Sequence, residues 1–301
     1  MTKKETDTGS SFTLSGKLRD YMMLIKFSLS FMVVFSAVVS FLLVPGNHYN
    51  LKMIFILFVA GLLVTGSANA INQVVEKDTD ALMKRTAKRP VASGRMSVAE
   101  GWGFAIIAGI LGVVMLWYFF NMTSALLAAF SLFLYAFIYT PLKKVNSVAV
   151  LVGAFPGALP CLIGWSAGFY NDPIAWKGGW ALFAIQFFWQ FPHFWAIAWI
   201  AHKDYSGAGF KLMPSVEGPT KYSAIQAIIY SLLLLPVGVL PYFVGMSGLP
   251  SLGIVTIANL FMIWQSVQLY RKMEVKAARR VMFSSYIYLP VVLLALLANK
   301  L

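Results

Sequence analysis

Residues 72–95, NQVVEKDTDALMKRTAKRPVASGR, join the end of a strongly apolar run to an acidic cluster and then to a dense basic one. On a helix Asn72, Glu76 and Asp80 fall at i, i+4 and i+8, so their side chains line one face. Four residues later the sign reverses, with Lys84, Arg85, Lys88, Arg89 and Arg95. Oxygen ligands beside fixed cations suit a magnesium ion bridging to a phosphate or pyrophosphate, because carboxylates cannot approach such an anion without a metal between them. At a membrane surface, that is a site for a lipid diphosphate. The bland alternative, a solvated and salt-bridged loop, is compatible with the same pattern.

A second polar stripe lies further on. Gln186, Gln190, His193 and Asp204 stand at offsets 0, 4, 7 and 18. At roughly 100° per residue they project within about 40° of a common direction. Pro192 removes one backbone donor there, and a kink near the previous turn is expected. His193 is read as the only ionisable side chain deep inside a span, which makes it a functional candidate by default. A neutral histidine bonded between helices is the equal alternative. The first stripe also runs back, through Asn69 to Thr65. Facing lipid it would be costly, so it is expected to face other helices or a water-filled cavity.

The elements that must hold these stripes follow from composition. The chain is 59% hydrophobic and 12% charged, with a mean hydropathy of +0.74. That leaves too little polar surface for a water-soluble globule of 301 residues. The sequence therefore predicts an all-α, polytopic membrane protein with about nine transmembrane helices, at 21–44, 51–75, 98–120, 122–142, 147–170, 178–202, 222–244, 249–270 and 281–299. Residues 1–20 read as a mobile cytoplasmic tail and 21–301 as the transmembrane domain. With the amino terminus inside, 21 of the 24 basic residues lie on the inner side, and only Lys52, Lys177 and Lys300 lie outside. The carboxyl terminus then falls outside a cell inner (plasma) membrane, and the net charge of +13 needs no nucleic acid to explain it. Topology alone accounts for the basic run RKMEVKAARR at 271–280. It gives no reason for Glu76, Asp78 and Asp80. The lone Cys161 makes no internal disulfide. The two longest connections, 76–97 and 203–221, follow the second and sixth spans, an arrangement expected of two related four-helix halves.

These residues resemble the UbiA superfamily of intramembrane prenyltransferases, and within it the heme-modifying branch. The superfamily's first motif reads N-D-x-x-D-x-x-x-D followed by K-R-T-x-x-R-P. Asn72, Glu76 and Asp80 hold its positions, and Lys84, Arg85, Thr86, Arg89 and Pro90 match the basic run. Gln73 replaces the usual first aspartate, Glu76 is one carbon longer, and Asp78 fits the heme branch. Further matches are Tyr139, Thr140, Leu142 and Lys143; Gly153, Gly157, Pro160, Gly164 and Trp165; and WQFPHFWA at 189–196 with Asp204, Tyr205, Gly209, Met213 and Pro214. The second acidic motif is represented chiefly by Asp204, with His193 and Ile200 near the places of other aspartates. Lys26-Phe27 stands where many relatives have Lys-Pro, a change expected to touch no proposed ligand.

The resemblance implies a UbiA-type prenyltransferase bundle. It also implies transfer of a farnesyl group from farnesyl diphosphate to a vinyl group of heme B, with addition of water, giving heme O and pyrophosphate. Magnesium would be held by Asn72, Glu76 and Asp80, with Asp204 as a further ligand. Lys84, Arg85, Lys88, Arg89, Lys143 and Lys144 would neutralise the diphosphate. The aromatic sixth span, with His193, Gln190 and Trp195, is the expected wall for heme. The bilayer and a heme A synthase or terminal oxidase are the expected partners. A prenyltransferase acting on a quinone precursor or chlorophyllide is the closest rival. A polytopic transporter is the competing class, though transporters place ionisable groups near the midplane, and here the acids lie at one surface.

Overall fold

The computed structural model describes residues 13–46, 50–169, 176–215 and 217–301. The helices in chain order are α1 (Leu14–Leu24), α2 (Phe27–Leu43), α3 (Leu51–Val75), α4 (Lys77–Leu82), α5 (Val98–Phe119), and α6 (Met122–Phe133), which runs through a π-helical turn (Leu134–Tyr139) into α7 (Thr140–Leu142). There follow α8 (Ala149–Gly168), α9 (Trp176–Ile200), α10 (His202–Gly207), α11 (Lys221–Gly238), α12 (Leu240–Phe243), α13 (Leu249–Lys272) and α14 (Val275–Ala298). Among the described residues the one β pairing is an isolated bridge between Ser247 and Lys300. Side-chain caps start several spans: Asn50 accepts from the amides of Lys52 and Met53, Ser97 from Glu100, Asn121 from Ser124 and Thr220 from Ser223.

Seven of these helices are long and apolar enough to cross a membrane, and the pair α1 and α2, bent by 53°, makes an eighth. The ninth expected span is α9, as long as α3 at 25 residues. Its glutamines, proline and histidine lower its apolarity, and more than half of its residues are buried. A span enclosed by other helices does not need a lipid-like surface.

The first span departs from expectation. Instead of one helix over 21–44, the chain breaks at Lys26, which takes a left-handed conformation with φ 48°. The expected tail also ends earlier than residue 20. From Leu14 the chain is helical, and Lys17 and Tyr21 hold Glu100 at 2.8 and 2.9 Å, while Asp20 pairs with Arg95 at 2.9 Å. Those contacts across sequence dock α1 on the 83–97 loop and α5. The expected mobility of residues 1–12 lies outside the described residues.

The spans pack in two matching sequences. In the first half α2 packs on α3, α3 on α5 and α5 on α6; in the second α8 packs on α9, α9 on α11 and α11 on α13. The leading helices of the halves, α2 and α8, pack on each other, and α14 closes on α13, α9 and α2. Helix α8 is the most enclosed, with 78% of its apolar window buried against 22% for Met122–Leu142. Small residues permit this: a Cβ on Gly157 would collide with the Gln190 amide, and one on Gly164 with the carbonyl of Ala37. The halves also share a local device. Helices α3 and α9 each end in a single non-helical residue, Glu76 (φ −95°, ψ 13°) and Ala201 (φ −96°, ψ 14°), followed by a six-residue helix.

Candidate active site

The break after α3 does not separate the first stripe. Glu76 donates its amide to Asn72 O at 3.0 Å and accepts that of Asp80 at 2.7 Å, so the three side chains stay stacked on one side. All three are buried, Asp80 completely. Each meets a cation from a different part of the chain. Glu76 Oε1 lies 2.5 Å from Lys143 Nζ, just past α7; Asp80 Oδ2 lies 2.6 Å from Arg89 in the 83–97 loop; and Asn72 Oδ1 accepts from Lys26 Nζ at 3.0 Å. Thr86 folds that loop back by donating to the carbonyl of Asp80 at 2.9 Å. Pairing with a cation offsets part of the cost of burying a carboxylate.

Asp80 Oδ1, Asn72 Nδ2 and Gln73 Oε1 are buried without a hydrogen-bond partner, and Glu76 Oε1 has only its ion pair with Lys143. Two carboxylates and an amide are hard oxygen donors, and the orphaned Asp80 oxygen is poised for a further electrophile, so this set fits magnesium. Asp204 is half-buried on α10, and among the described residues it makes no ion pair and no three His, Cys, Asp or Glu side chains converge.

Aromatic residues line the rim. Lys143 Nζ sits 4.8 Å from the ring centre of Tyr139 and 5.5 Å from that of Phe210. The π-helical turn carries Tyr135 and Tyr139, their rings tilted with centres 5.1 Å apart, and Gly153 leaves room for the Tyr139 ring. Burial pushes the Lys143 ammonium below its usual pKa, and Glu76 opposes that shift. Arg85 donates to the Tyr205 hydroxyl at 2.8 Å. Burial raises the Tyr205 phenol, against the pull of Arg85 and Arg89, which leaves it protonated and able to accept. Of the six expected diphosphate cations, Lys143 is buried and Arg89 half-buried at the mouth, Arg85 is exposed but held by Tyr205, and Lys84, Lys88 and Lys144 are exposed.

Two residues gain roles that sequence reasoning missed. Lys26 was given no role at the site by the sequence and reaches Asn72; the available signal was a lone lysine inside the apolar run MMLIKFSLSF. Gln73, at the place of the superfamily's first aspartate, points away from the mouth. Its amide donates to the carbonyls of Met23 and Leu24, both at 2.9 Å, and latches the end of α1.

The second stripe does not form one wall. Gln186 donates to Gly157 O at 2.7 Å and Gln190 to Ala154 O at 3.0 Å, so both are spent on the backbone of α8. Trp195 packs on Phe191 and, edge on, on Tyr230 of α11. His193 faces α14, stacked on Trp189 at 5.0 Å with Nδ1 2.8 Å from Ser285 Oγ. Ser285 gives its own proton to Met282 O at 2.6 Å, so Nδ1 carries hydrogen and Nε2 keeps a lone pair.

A helical membrane bundle with a buried acid–cation mouth at one end of its second span defines a class. The chain belongs to the UbiA prenyltransferase family, whose sequence model matches residues 33–288. It is 40% identical over 287 residues to the Protoheme IX farnesyltransferase of Cytophaga hutchinsonii, covering 95% of this chain and 99% of that one. To the protein of the same name from Flavobacterium johnsoniae it is 40% identical over 288 residues, covering 93% and 94%. Solved structures share the fold. One described as digeranylgeranylglyceryl phosphate synthase matches with a TM-score of 0.77 at 19% identity, covering 94% of this chain and 98% of that one. A UbiA homolog from Archaeoglobus fulgidus, bound to GPP and Mg2+, matches with a TM-score of 0.69 at 16% identity, covering 92% and 99%.

Proposed function

We propose that this chain transfers the farnesyl group of farnesyl diphosphate to a vinyl group of heme B, giving heme O and pyrophosphate, at the cytoplasmic face of a plasma membrane. The carrying observation is the mouth in which Glu76 and Asp80 each meet a cation while Asp80 Oδ1 has no partner. The acceptor follows from relatives of that name at 40% identity over nearly the whole chain. The concentration of basic residues on one side supports the orientation.

As the farnesyl C1–O bond breaks, its electron pair leaves with the pyrophosphate, and Lys143, Arg89, Arg85 and Lys26 surround the place where that charge develops. Asn72, Glu76 and Asp80 would hold magnesium, which would supply Lewis-acid chemistry to the leaving group. The allylic carbon left behind is electron-poor. Tyr139 and Phe210 present aromatic rings to Lys143, with Tyr135 packed on Tyr139, and such faces favour positive charge while keeping water out. The vinyl group's terminal carbon gives its π pair to C1. The positive charge then rests on the inner vinyl carbon, where water adds and releases one proton. His193 offers Nε2 to the heme, held in that tautomer by Ser285, and Gln190 and Trp195 support the helix that carries it. A heme A synthase or terminal oxidase that accepts heme O is the partner this reading calls for.

The test is purified protein in lipid nanodiscs with farnesyl diphosphate and heme B, analysed for heme O by mass spectrometry. Heme O should form with magnesium and cease on chelation. Prenylation of a quinone precursor in its place would overturn the acceptor assignment.

A further inference from the structure

The two halves of the bundle repeat one device, and they fill it differently. Helix α3, Glu76 and α4 superimpose in sequence on α9, Ala201 and α10 with a constant shift of 125 positions: Leu51 onto Trp176, Glu76 onto Ala201, Leu82 onto Gly207. The same shift sets Asn72 on Ile197, Glu76 on Ala201 and Asp80 on Tyr205. Each oxygen donor of the first half therefore has a counterpart in the second half that is apolar or a phenol. Asp204, the one acid nearby, corresponds to Thr79 and lies off that face by one residue.

What stands at the second position is a cation. The hydroxyl of Tyr205, in the place equivalent to the Asp80 carboxylate, holds the guanidinium of Arg85 at 2.8 Å, and the Arg85 head lies 5.4 Å from the Tyr205 ring centre. Tyr205 in turn rests edge-on against Phe210, 5.9 Å between ring centres. A divalent ion has no carboxylate there to bind, and a guanidinium beside it would repel it.

We infer that this chain holds a single divalent cation, on the first-half set Asn72, Glu76 and Asp80, and that Arg85 positioned by Tyr205 replaces a second one against the diphosphate. The inference rests on the prenyl-transfer reading and narrows it. Arg85 is suited to this role, since its planar fork can take two phosphate oxygens and it never loses its charge. Tyr205 is a positioning residue: it touches Arg85, and Arg85 touches the anion.

The test is a titration of full-length protein in nanodiscs with Mn2+, read by electron paramagnetic resonance, with inorganic pyrophosphate as the anion. One Mn2+ per chain is expected, without the broadening of a coupled pair. Asp204→Asn should leave that stoichiometry at one. Tyr205→Phe should also bind one Mn2+ but weaken pyrophosphate about fivefold or more, and Arg85→Gln should do the same. Two coupled Mn2+ ions, loss of the ion in Asp204→Asn, or unchanged pyrophosphate affinity in both Tyr205→Phe and Arg85→Gln would each overturn the inference while leaving prenyl transfer intact. Binding of no Mn2+ would overturn both. Failure of the heme assignment alone would show as one bound Mn2+ in a protein that makes no heme O.

Discussion

Lys26 Nζ lies 3.0 Å from Asn72 Oδ1, joining the left-handed break between α1 and α2 to the last turn of α3. A non-glycine residue in that conformation costs of order 1 kcal/mol or more, and such strain persists where surroundings fix it. Here the bond to Asn72 and the latch of Gln73 on Met23 and Leu24 do so. Lys26→Met should raise the KM for farnesyl diphosphate about tenfold and leave heme affinity unchanged. Steady-state kinetics with each substrate varied in turn will check this, and an unchanged donor KM would remove Lys26 from the site.

Glu76 and Lys143 form a pair buried on both sides. Removing one partner strands the other's charge, at a cost of about 3 kcal/mol. Lys143→Met should therefore lower thermal stability markedly. The double variant Glu76→Gln with Lys143→Met should recover most of that stability and none of the turnover. Equal stability of the single and double variants would show that the pair is not what holds these helices.

Gln73 tests whether the mouth is read correctly. If its role is the latch on α1, Gln73→Asp loses two hydrogen bonds and sets a carboxylate against carbonyl oxygens. The variant should be less stable by about 1–3 kcal/mol. It should gain no affinity for Mn2+, and a gain would show that the position belongs to the metal site.

His193 faces Ser285 and Trp189, on the α14 side of α9, seven residues before the helix ends at Ile200. At 1.5 Å per residue that places it roughly 10 Å deeper than the helix end. His193→Ala should weaken heme binding or turnover and leave pyrophosphate affinity nearly unchanged. Spectroscopic heme titration beside a pyrophosphate binding assay separates the two, and a loss confined to pyrophosphate would place His193 in the wrong half of the cavity.

The proposed orientation would put the 76–97 and 203–221 connections in the cytoplasm. Single cysteines at Ser93 and Ser215, in a background with Cys161→Ala, should react with an impermeant reagent in inside-out vesicles and not in intact cells. Labelling from outside at either position would invert the topology.

The sequence by itself determined the bundle and one end of its site. Apolar runs of spanning length leave the chain no solution but helices, because backbone groups in lipid must pair within their own segment. The spacing of Asn72, Glu76 and Asp80 put the donors on one face, since helical period is a local property. Even the kink at Glu76 preserved that face through the hydrogen bonds that flank it. Tertiary structure decided which cations and which partners complete the set. Lys26, Lys143 and Arg89 reach the three donors from separate segments, and no local pattern encodes where distant segments meet. The polar stripe on α9 was legible as a stripe, but its use was not. Gln186 and Gln190 are consumed by carbonyls of α8, which approach only because Gly157 has no side chain in the way. Asp204 shows the same limit from the other side. Its residue type fitted a metal ligand, whereas the inferred correspondence of α3 with α9 sets it opposite Thr79, one position off the register of Asp80.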